Sequence, residues 1–561
     1  MRSLSDMYWL YSVYTWFYPV LNSCEDRYFY AIYANKISLS LGFIRIFAAA
    51  GRFCGPKNVC IMYIRNEDTI CAPATVPGTG AISVIRVSGP DALAVADKVV
   101  TTRRGRISDA PGYTIRFGTV YSAPKGNASG PGDAIDEVLV SVFRAPHSYT
   151  GEDSVEISCH ASSYIVSAVL DMLLVAGARA AEPGEFTQRA FLNGKMDLAQ
   201  AEAVADVIAS QNADAHRVAF RQMKGGFSSE LRSMRSELLE IVSLMELELD
   251  FSEEEVEFAD RSRLDSLLAE IIAHVGRLVD SFRLGNAIKN GVPVTIAGAT
   301  NTGKSTLLNA LLGEDRAIVS DIHGTTRDTI EEMLNIDGVL FRFIDTAGLR
   351  ETSEVVEQIG IGRTFRKISE ASVVIGMVDL TRDFESSCET VREIVKNVDL
   401  DIQNLVFLLN KTDILGINKN VNILNFIVSF VESKDIKVNV FDKTEISPQI
   451  VGAVRNSVSI LPISAKTGSG IPALRSLLAA SQRDLLADSD TTLVTNQRHV
   501  QALAEARTSL LRVREGLAAG LPTDLAAQDI REAIYHIGSI VGEISTDEVL
   551  GNIFANFCIG K

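Results

Sequence analysis

The sequence predicts a multidomain α+β protein in which a parallel α/β domain interrupts an all-α one. Three patterns carry this. Up to about residue 183, short β-branched segments broken by Gly and Pro are joined from about residue 163 by helical patterns. From Thr187 to about 285, and again from Asn496 to the end, apolar residues recur at helical spacing. Between these blocks, residues 290–480 alternate apolar strands with helices, the order expected of a parallel sheet. A helical segment, a complete α/β unit and more helix read as an insertion, which is tolerated where the guest's ends lie close together. The predicted boundaries are 62–183 for the N-terminal α+β domain, 184–288 and 484–561 for the two helical segments, and 289–483 for the inserted domain.

Bulk properties bound the function. A chain of 561 residues is too long for one core. Its net charge of −16 argues against a protein that coats polyanions generally, so a nucleic-acid partner would require a local basic patch. Apolar runs are interrupted well short of a membrane span. The cysteines (Cys24, Cys54, Cys60, Cys71, Cys159, Cys388 and Cys558) form no CxxC pair, which excludes the usual zinc signatures and fits a reducing compartment, with cytoplasm the default.

Residues 1–61 stand apart. They hold both tryptophans, in the run Met7-Tyr-Trp-Leu-Tyr-Ser-Val-Tyr-Thr-Trp-Phe-Tyr18, and match neither a secretory signal nor a transit peptide. The expectation is an over-extended gene start, with Met62 the true first residue. Beyond it, Ala81–Val87 and Glu137–Phe143 read as strands by their β-branched content. In the helical block, Leu231, Leu238, Leu239, Ile241 and Val242 recur at helical spacing, and the acidic run Asp250–Glu257 reads as a solvated connection.

The chemistry is concentrated in 290–480. Val292–Ala297 is a buried-strand pattern and Ser305–Leu312 a helix start; between them lies Gly298-Ala-Thr-Asn-Thr-Gly-Lys-Ser305, a Gly-x4-Gly-Lys-Ser phosphate loop. Glycines let backbone N–H groups converge on phosphate, the helix N-terminus adds positive potential, Lys304 reaches the β/γ-phosphates and the Ser305 hydroxyl takes Mg²⁺. Downstream, Asp345-Thr-Ala-Gly348 ends a strand, with Asp345 suited to the Mg²⁺ shell and the Gly348 N–H to the γ-phosphate. Asn410-Lys-Thr-Asp413 ends another; its Asp413 carboxylate can accept both N1–H and N2–H₂ of guanine, a pairing adenine does not offer. Ser464-Ala-Lys466 supplies a backbone N–H to guanine O6. In this order the motifs specify GTP. Gly324-Thr-Thr-Arg-Asp328 adds a switch threonine, Thr326, able to close on Mg²⁺ and γ-phosphate. Where Ras-like proteins place a water-orienting Gln, the chain has Leu349, so a nearby acid (Glu351, Glu354 or Glu357) must serve. With no arginine finger evident, a monovalent cation could supply the missing charge. Asn301 is a suitable oxygen ligand or, equally, a turn residue.

Further segments carry a resemblance: Asp68-Thr-Ile-Cys-Ala-Pro-Ala-Thr-Val-Pro-Gly78, Tyr149-Thr-Gly-Glu-Asp153, Pro183–Asn193, Lys195-Met-Asp-Leu-Ala-Gln-Ala-Glu202, Asp345–Arg350 and the terminal Cys558-Ile-Gly-Lys561. Over about residues 66–561 the chain resembles the MnmE (TrmE) family of bacterial tRNA-modification GTPases, within the TrmE-Era-EngA-like potassium-dependent GTPases. A ribosome-assembly GTPase of the Der or Era type shares the G motifs but not the terminal Cys-x-Gly-Lys.

The resemblance implies a folate-binding N-terminal domain, a helical domain in two segments and an inserted Ras-like P-loop G domain. It also implies a homodimer and a flavoprotein partner of the MnmG (GidA) type that carries FAD. Together such proteins add an aminomethyl or carboxymethylaminomethyl group at C5 of the tRNA wobble uridine, drawing a one-carbon unit from a tetrahydrofolate derivative. GTP contacts fall on Asn301, Thr302, Gly303, Lys304, Ser305 and Thr306, then Ser320, Asp321, Ile322, His323, Gly324, Thr325 and Thr326. They continue through Asp345, Thr346, Ala347 and Gly348 to Asn410, Lys411, Asp413, Ser464, Ala465 and Lys466. Mg²⁺ falls on Ser305 and Thr326, and K⁺ on Asn301, Ser320, Ile322 and Thr325. Glu357 becomes the catalytic residue that positions water, and Arg86, Glu156, Lys195 and Lys561 the folate contacts. Two features depart from the family pattern. The phosphate loop reads Thr300-Asn-Thr302 where Pro-Asn-Ala is usual, and Ala161-Ser162 replaces a Gly pair after His160, adding Cβ atoms beside the folate region.

Overall fold

The computed structural model describes residues 68–122, 132–250, 261–313, 331–344, 368–414, 420–434, 436–441, 457–487, 492–520, 523–544, 547–555, 557, 558 and 560. Two sheets and a helical bundle organise them. Elements are numbered among these residues.

The first sheet contains β1 (Ile70–Pro73), β2 (Ile82–Ser88), β3 (Val100–Thr102), β4 (Thr114–Tyr121), β5 (Ala134–Phe143), β6 (Ser154–His160) and β7 (Arg179–Ala180), in the order β3-β4-β5-β6-β2-β1-β7. Only β1 and β7 pair in parallel. Two helices, α1 (Ala92–Val99) and α2 (Ser163–Ala176), pack into the core of this sheet with Ile85, Val87, Val140, Val155 and Ile157. The strands alternate buried and exposed positions, as a sheet covered on one face does. In register, Arg86 lies opposite Glu156.

Helices follow: α3 (Glu185–Leu192), α4 (Leu198–Ala209), α5 (Ala213–Met223), α6 (Gly226–Asp250) and α7 (Arg261–Asn290). The Lys195–Glu202 motif has a local structural purpose. Asp197 caps α4 by accepting from the Gln200 N–H at 2.9 Å, and the Gln200 side chain returns a bond to the Asp197 N–H at 3.0 Å, a capping box.

The second sheet has β8 (Val292–Ala297), β9 (Glu332–Ile336), β10 (Val339–Phe343), β11 (Val373–Asp379), β12 (Asn404–Asn410), β13 (Lys437–Val440) and β14 (Ser457–Pro462), ordered β13-β14-β12-β11-β8-β10-β9. All its pairs are parallel except β9 with β10. Helices α8 (Lys304–Gly313), α9 (Phe384–Asn397), α10 (Asn420–Glu432) and α11 (Ile471–Ala487) accompany it, and β8, β11 and β12 are continuous apolar runs buried on both faces. Pro293 is tolerated within β8 because the ladder to β11 begins one residue later, at Val294.

After this sheet come α12 (Gln497–Ala518), α13 (Thr523–Val541) and α14 (Asp547–Phe554). Helices α6, α7, α12 and α13 share one core, including Leu231, Leu238, Leu268, Val275, Leu503, Leu510, Ile530 and Ile537. Residues before and after the parallel sheet therefore build a single bundle, the topology expected when one domain is inserted into another. The acidic run beyond Asp250 lies outside the described residues.

Candidate functional site

The phosphate loop connects β8 to α8. Gly298 has φ of +154°, and a Cβ there would sit 2.6 Å from the Met377 carbonyl oxygen, so only glycine lets the loop cross β11 this closely. Asn301 has φ of +59°, a left-handed conformation that Asn tolerates better than most residues. Lys304 folds back over the loop, its Nζ donating to the Gly298 and Ala299 carbonyls at 2.9 and 2.8 Å. Burial, and secondly the nearby Arg382 guanidinium, lower the Lys304 pKa. Arg382 itself donates to the Thr300 carbonyl. Two cations at a loop of converging amides suit a polyanion such as phosphate.

The base end is formed where β12 and β14 finish side by side. Asn410 is buried; its Nδ2 donates to the Thr302 carbonyl at 2.7 Å, and its Oδ1 accepts from the Ala465 N–H at 3.0 Å. Ser464 Oγ donates to Asp413 Oδ1 at 2.7 Å, orienting the carboxylate assigned to guanine. Lys411, at φ of +67°, pairs with Asp379 at 2.6 Å. Burial opposes ionisation of Asp379, but its bonds to Lys411 and Thr381 outweigh it and lower its pKa.

The structure thus brings together Asn301–Thr306 with Asn410, Lys411, Asp413, Ser464 and Ala465. Lys466 follows directly as an exposed residue. Ser320–Thr326, Asp345–Gly348 and Glu357 lie outside the described residues. Sequence reasoning overlooked Asp379 and Arg382. The signal for Asp379 was present, because Val373–Asp379 is another apolar run ending in a polar residue, as the runs ending at Asp345 and Asn410 do.

At the first sheet, Arg86 and Glu156 form an ion pair at 2.9 Å, with side-chain exposures of 14% and 29%. The Arg86 guanidinium lies 5.1 Å from the Tyr149 ring centroid and 5.7 Å from that of Phe186. Its Nη1 also donates to the Gly560 carbonyl at 3.4 Å, so the C-terminal tail reaches this pair. Lys195 instead donates to the Pro146 carbonyl at 2.9 Å, and Lys561 lies outside the described residues. Cys558 is exposed, whereas Cys71 and Cys159 are buried, and burial raises the Cys71 thiol to about 11. Behind the pair, fully buried Arg189 meets Asp68, Glu152 and Glu185, an ionic cluster that sequence reasoning did not resolve.

A P-loop at the end of β8, joined to NKxD and SAK loops on a parallel sheet, defines a GTP-hydrolysing enzyme. A family model described as "GTP-binding protein TrmE N-terminus" matches residues 69–195, and one described as "MnmE helical domain" matches 198–558. The tRNA modification GTPase MnmE of Parabacteroides distasonis is 50% identical over 497 residues, covering 88% of this chain and 100% of the relative. Those of Bacteroides fragilis and Flavobacterium johnsoniae are each 48% identical, over 503 and 499 residues, again across 88% of this chain and 100% of the relative. The chain belongs to the MnmE (TrmE) family of tRNA-modification GTPases. Among the described residues, no helix is long and apolar enough to cross a membrane.

Proposed function

We propose that this protein uses GTP hydrolysis as a K⁺-assisted switch in modifying the tRNA wobble uridine. A flavoprotein partner of the MnmG (GidA) type would carry FAD, a tetrahydrofolate derivative would supply the one-carbon unit, and the product would bear an aminomethyl-type group at C5. Family membership supports this reading, and the observation that carries it is the buried Asn410 link between the phosphate loop and the guanine-reading loop. It couples the two ends of a bound nucleotide.

In this reading Lys304 and the amides of Asn301–Thr306 hold the β- and γ-phosphates, while Asp413, Ser464, Ala465 and Lys466 read the base. Ser305 and Thr326 hold Mg²⁺, which neutralises phosphate charge. Asn301, Ser320, the Ile322 carbonyl and Thr325 hold K⁺, and Glu357 orients the attacking water. Asp321, His323, Gly324, Asp345, Thr346, Ala347 and Gly348 would supply the remaining contacts to the nucleotide. Arg86, Glu156, Lys195 and Lys561 take the folate; a largely buried guanidinium flanked by Tyr149 and Phe186 suits a flat heteroaromatic ligand with carboxylates. Homodimerisation through the N-terminal domain is supported by Ile115, Phe117 and Leu139, exposed apolar residues on β4 and β5. The place of action is the cytoplasm.

The test has two arms. GTP turnover is measured in KCl and NaCl at equal ionic strength, and strong K⁺ activation is expected; equal rates would remove the cation site. The gene is also expressed in bacteria lacking their own family member, and wobble nucleosides are analysed by mass spectrometry. Failure to restore the modified uridine, with hydrolysis intact, would remove the modification role.

A further inference from the structure

A chain of net charge −16 that acts on tRNA needs a local surface where phosphate is welcome. One face of α5 has that character. His216, Arg217, Phe220, Arg221 and Lys224 fall at helical i, i+4 spacing and all are exposed, while Ala215, Ala219 and Gln222 on the opposite side are buried. The His216 ring stacks on Phe220, with centroids 5.6 Å apart and planes 15° from parallel. The Lys224 ammonium sits 4.7 Å from the same Phe220 centroid. Among the described contacts, Asp214 accepts from Arg217 at 2.6 Å, using part of a guanidinium that has five donors, and Arg221 is an exposed guanidinium that likewise has a partner and further donors. Together with Gly226, the five residues border an open cavity of about 470 Å³.

We infer that this face of α5 is a tRNA-docking surface. Arg217, Arg221 and Lys224 meet backbone phosphates, and the His216–Phe220 stack receives an unpaired base of a single-stranded loop. The chemistry favours RNA over an acidic protein because an exposed aromatic stack interleaved with cations matches alternating base and phosphate. An acidic protein surface would use the charges and leave the exposed rings idle. The inference rests on the reading that tRNA is the substrate and adds where it docks.

The experiment measures binding of fluorescein-labelled bacterial tRNA to the full chain by anisotropy across a KCl series. Arg221→Glu/Lys224→Glu is expected to bind roughly tenfold or more weakly and to lower the slope of log affinity against log salt by about 1.5, corresponding to two lost phosphate contacts. His216→Ala/Phe220→Ala is expected to weaken binding while leaving that slope unchanged. Both variants should hydrolyse GTP at the wild-type basal rate, which also reports that they fold. Wild-type affinity and slope in both variants would overturn the inference while leaving the modification role intact. Loss of flavoprotein binding with tRNA binding retained would also overturn it and assign the face to a protein. Normal effects on tRNA binding without restored wobble modification in cells would instead count against the proposed function alone.

Discussion

Asn410 holds Thr302: the amide at the end of β12 donates to a carbonyl of the phosphate loop at 2.7 Å, while accepting from Ala465 on the base side. One buried side chain therefore sets the spacing between the phosphate and guanine ends of the nucleotide site. Asn410→Ala leaves a carbonyl and an N–H unpaired in a dry setting, a loss of roughly 1.5–3 kcal/mol for the two. GTP affinity should fall about 10- to 100-fold in a fluorescent-nucleotide titration. A change below twofold would show that the loops hold their spacing without this link.

Glu357→Ala separates binding from chemistry. Leu349 stands where Ras-like proteins place a water-orienting Gln, so the acid assigned to water should matter in the transition state and little in the ground state. Turnover should drop by about 10² or more, with GTP affinity nearly unchanged. Loss of GTP binding would make the residue structural.

The phosphate loop and the NKxD and SAK loops were legible because their chemistry is local in sequence: each follows a strand, and parallel strands deliver their ends to one edge of a sheet. The insertion was legible for a similar reason, since two helical blocks must bury their apolar faces and did so in one core. What escaped depended on distance along the chain. Arg86 and Glu156 entered separately, each as a folate contact that the family resemblance implies. Their opposition across β2 and β6, which pairs them, follows from a register that no short pattern announces. Of the partners of Arg189, Glu185 is one helical turn away, but Asp68 lies 121 residues away and is joined to it only by folding.

The tail's docking yields a third prediction. Gly560 has φ of +94°, and a Cβ at that position would overlap the Pro73 carbonyl oxygen of β1. Gly560→Ala therefore meets backbone strain and a clash with main chain that cannot rotate away. The tail should leave β1 and release the contact between Arg86 and the Gly560 carbonyl. Faster trimming by carboxypeptidase and weaker binding of a tetrahydrofolate derivative are expected, with GTP binding unchanged. Wild-type trimming would mean that the tail stays docked without this close approach.

Glu202 yields a prediction about pH. Buried on α4, it accepts from Arg498 Nε and Nη2 at 3.0 and 3.1 Å and pairs with His499 Nε2 at 2.5 Å. Arg498 continues to the Ser539 and Ile540 carbonyls at 2.8 and 2.9 Å, so this carboxylate joins a helix before the inserted domain to two helices after it. Burial alone would raise its pKa, but His499 first and Arg498 second outweigh burial and bring it from 4.5 to about 2. The folded value is depressed, so the stabilisation is fully present above pH 4.5 and fades as pH falls toward 2. Glu202→Gln breaks a buried pair and strands the cations, a cost on the order of 3–5 kcal/mol near neutral pH. In urea unfolding followed by helical circular dichroism, wild type and variant should differ widely at pH 7, draw together below pH 4.5 and converge only below about pH 2, where protonation of the folded protein removes from wild type the same charge the substitution removes. An equal gap at both pH values would mean that the shape of Glu202, rather than its charge, holds the helices together.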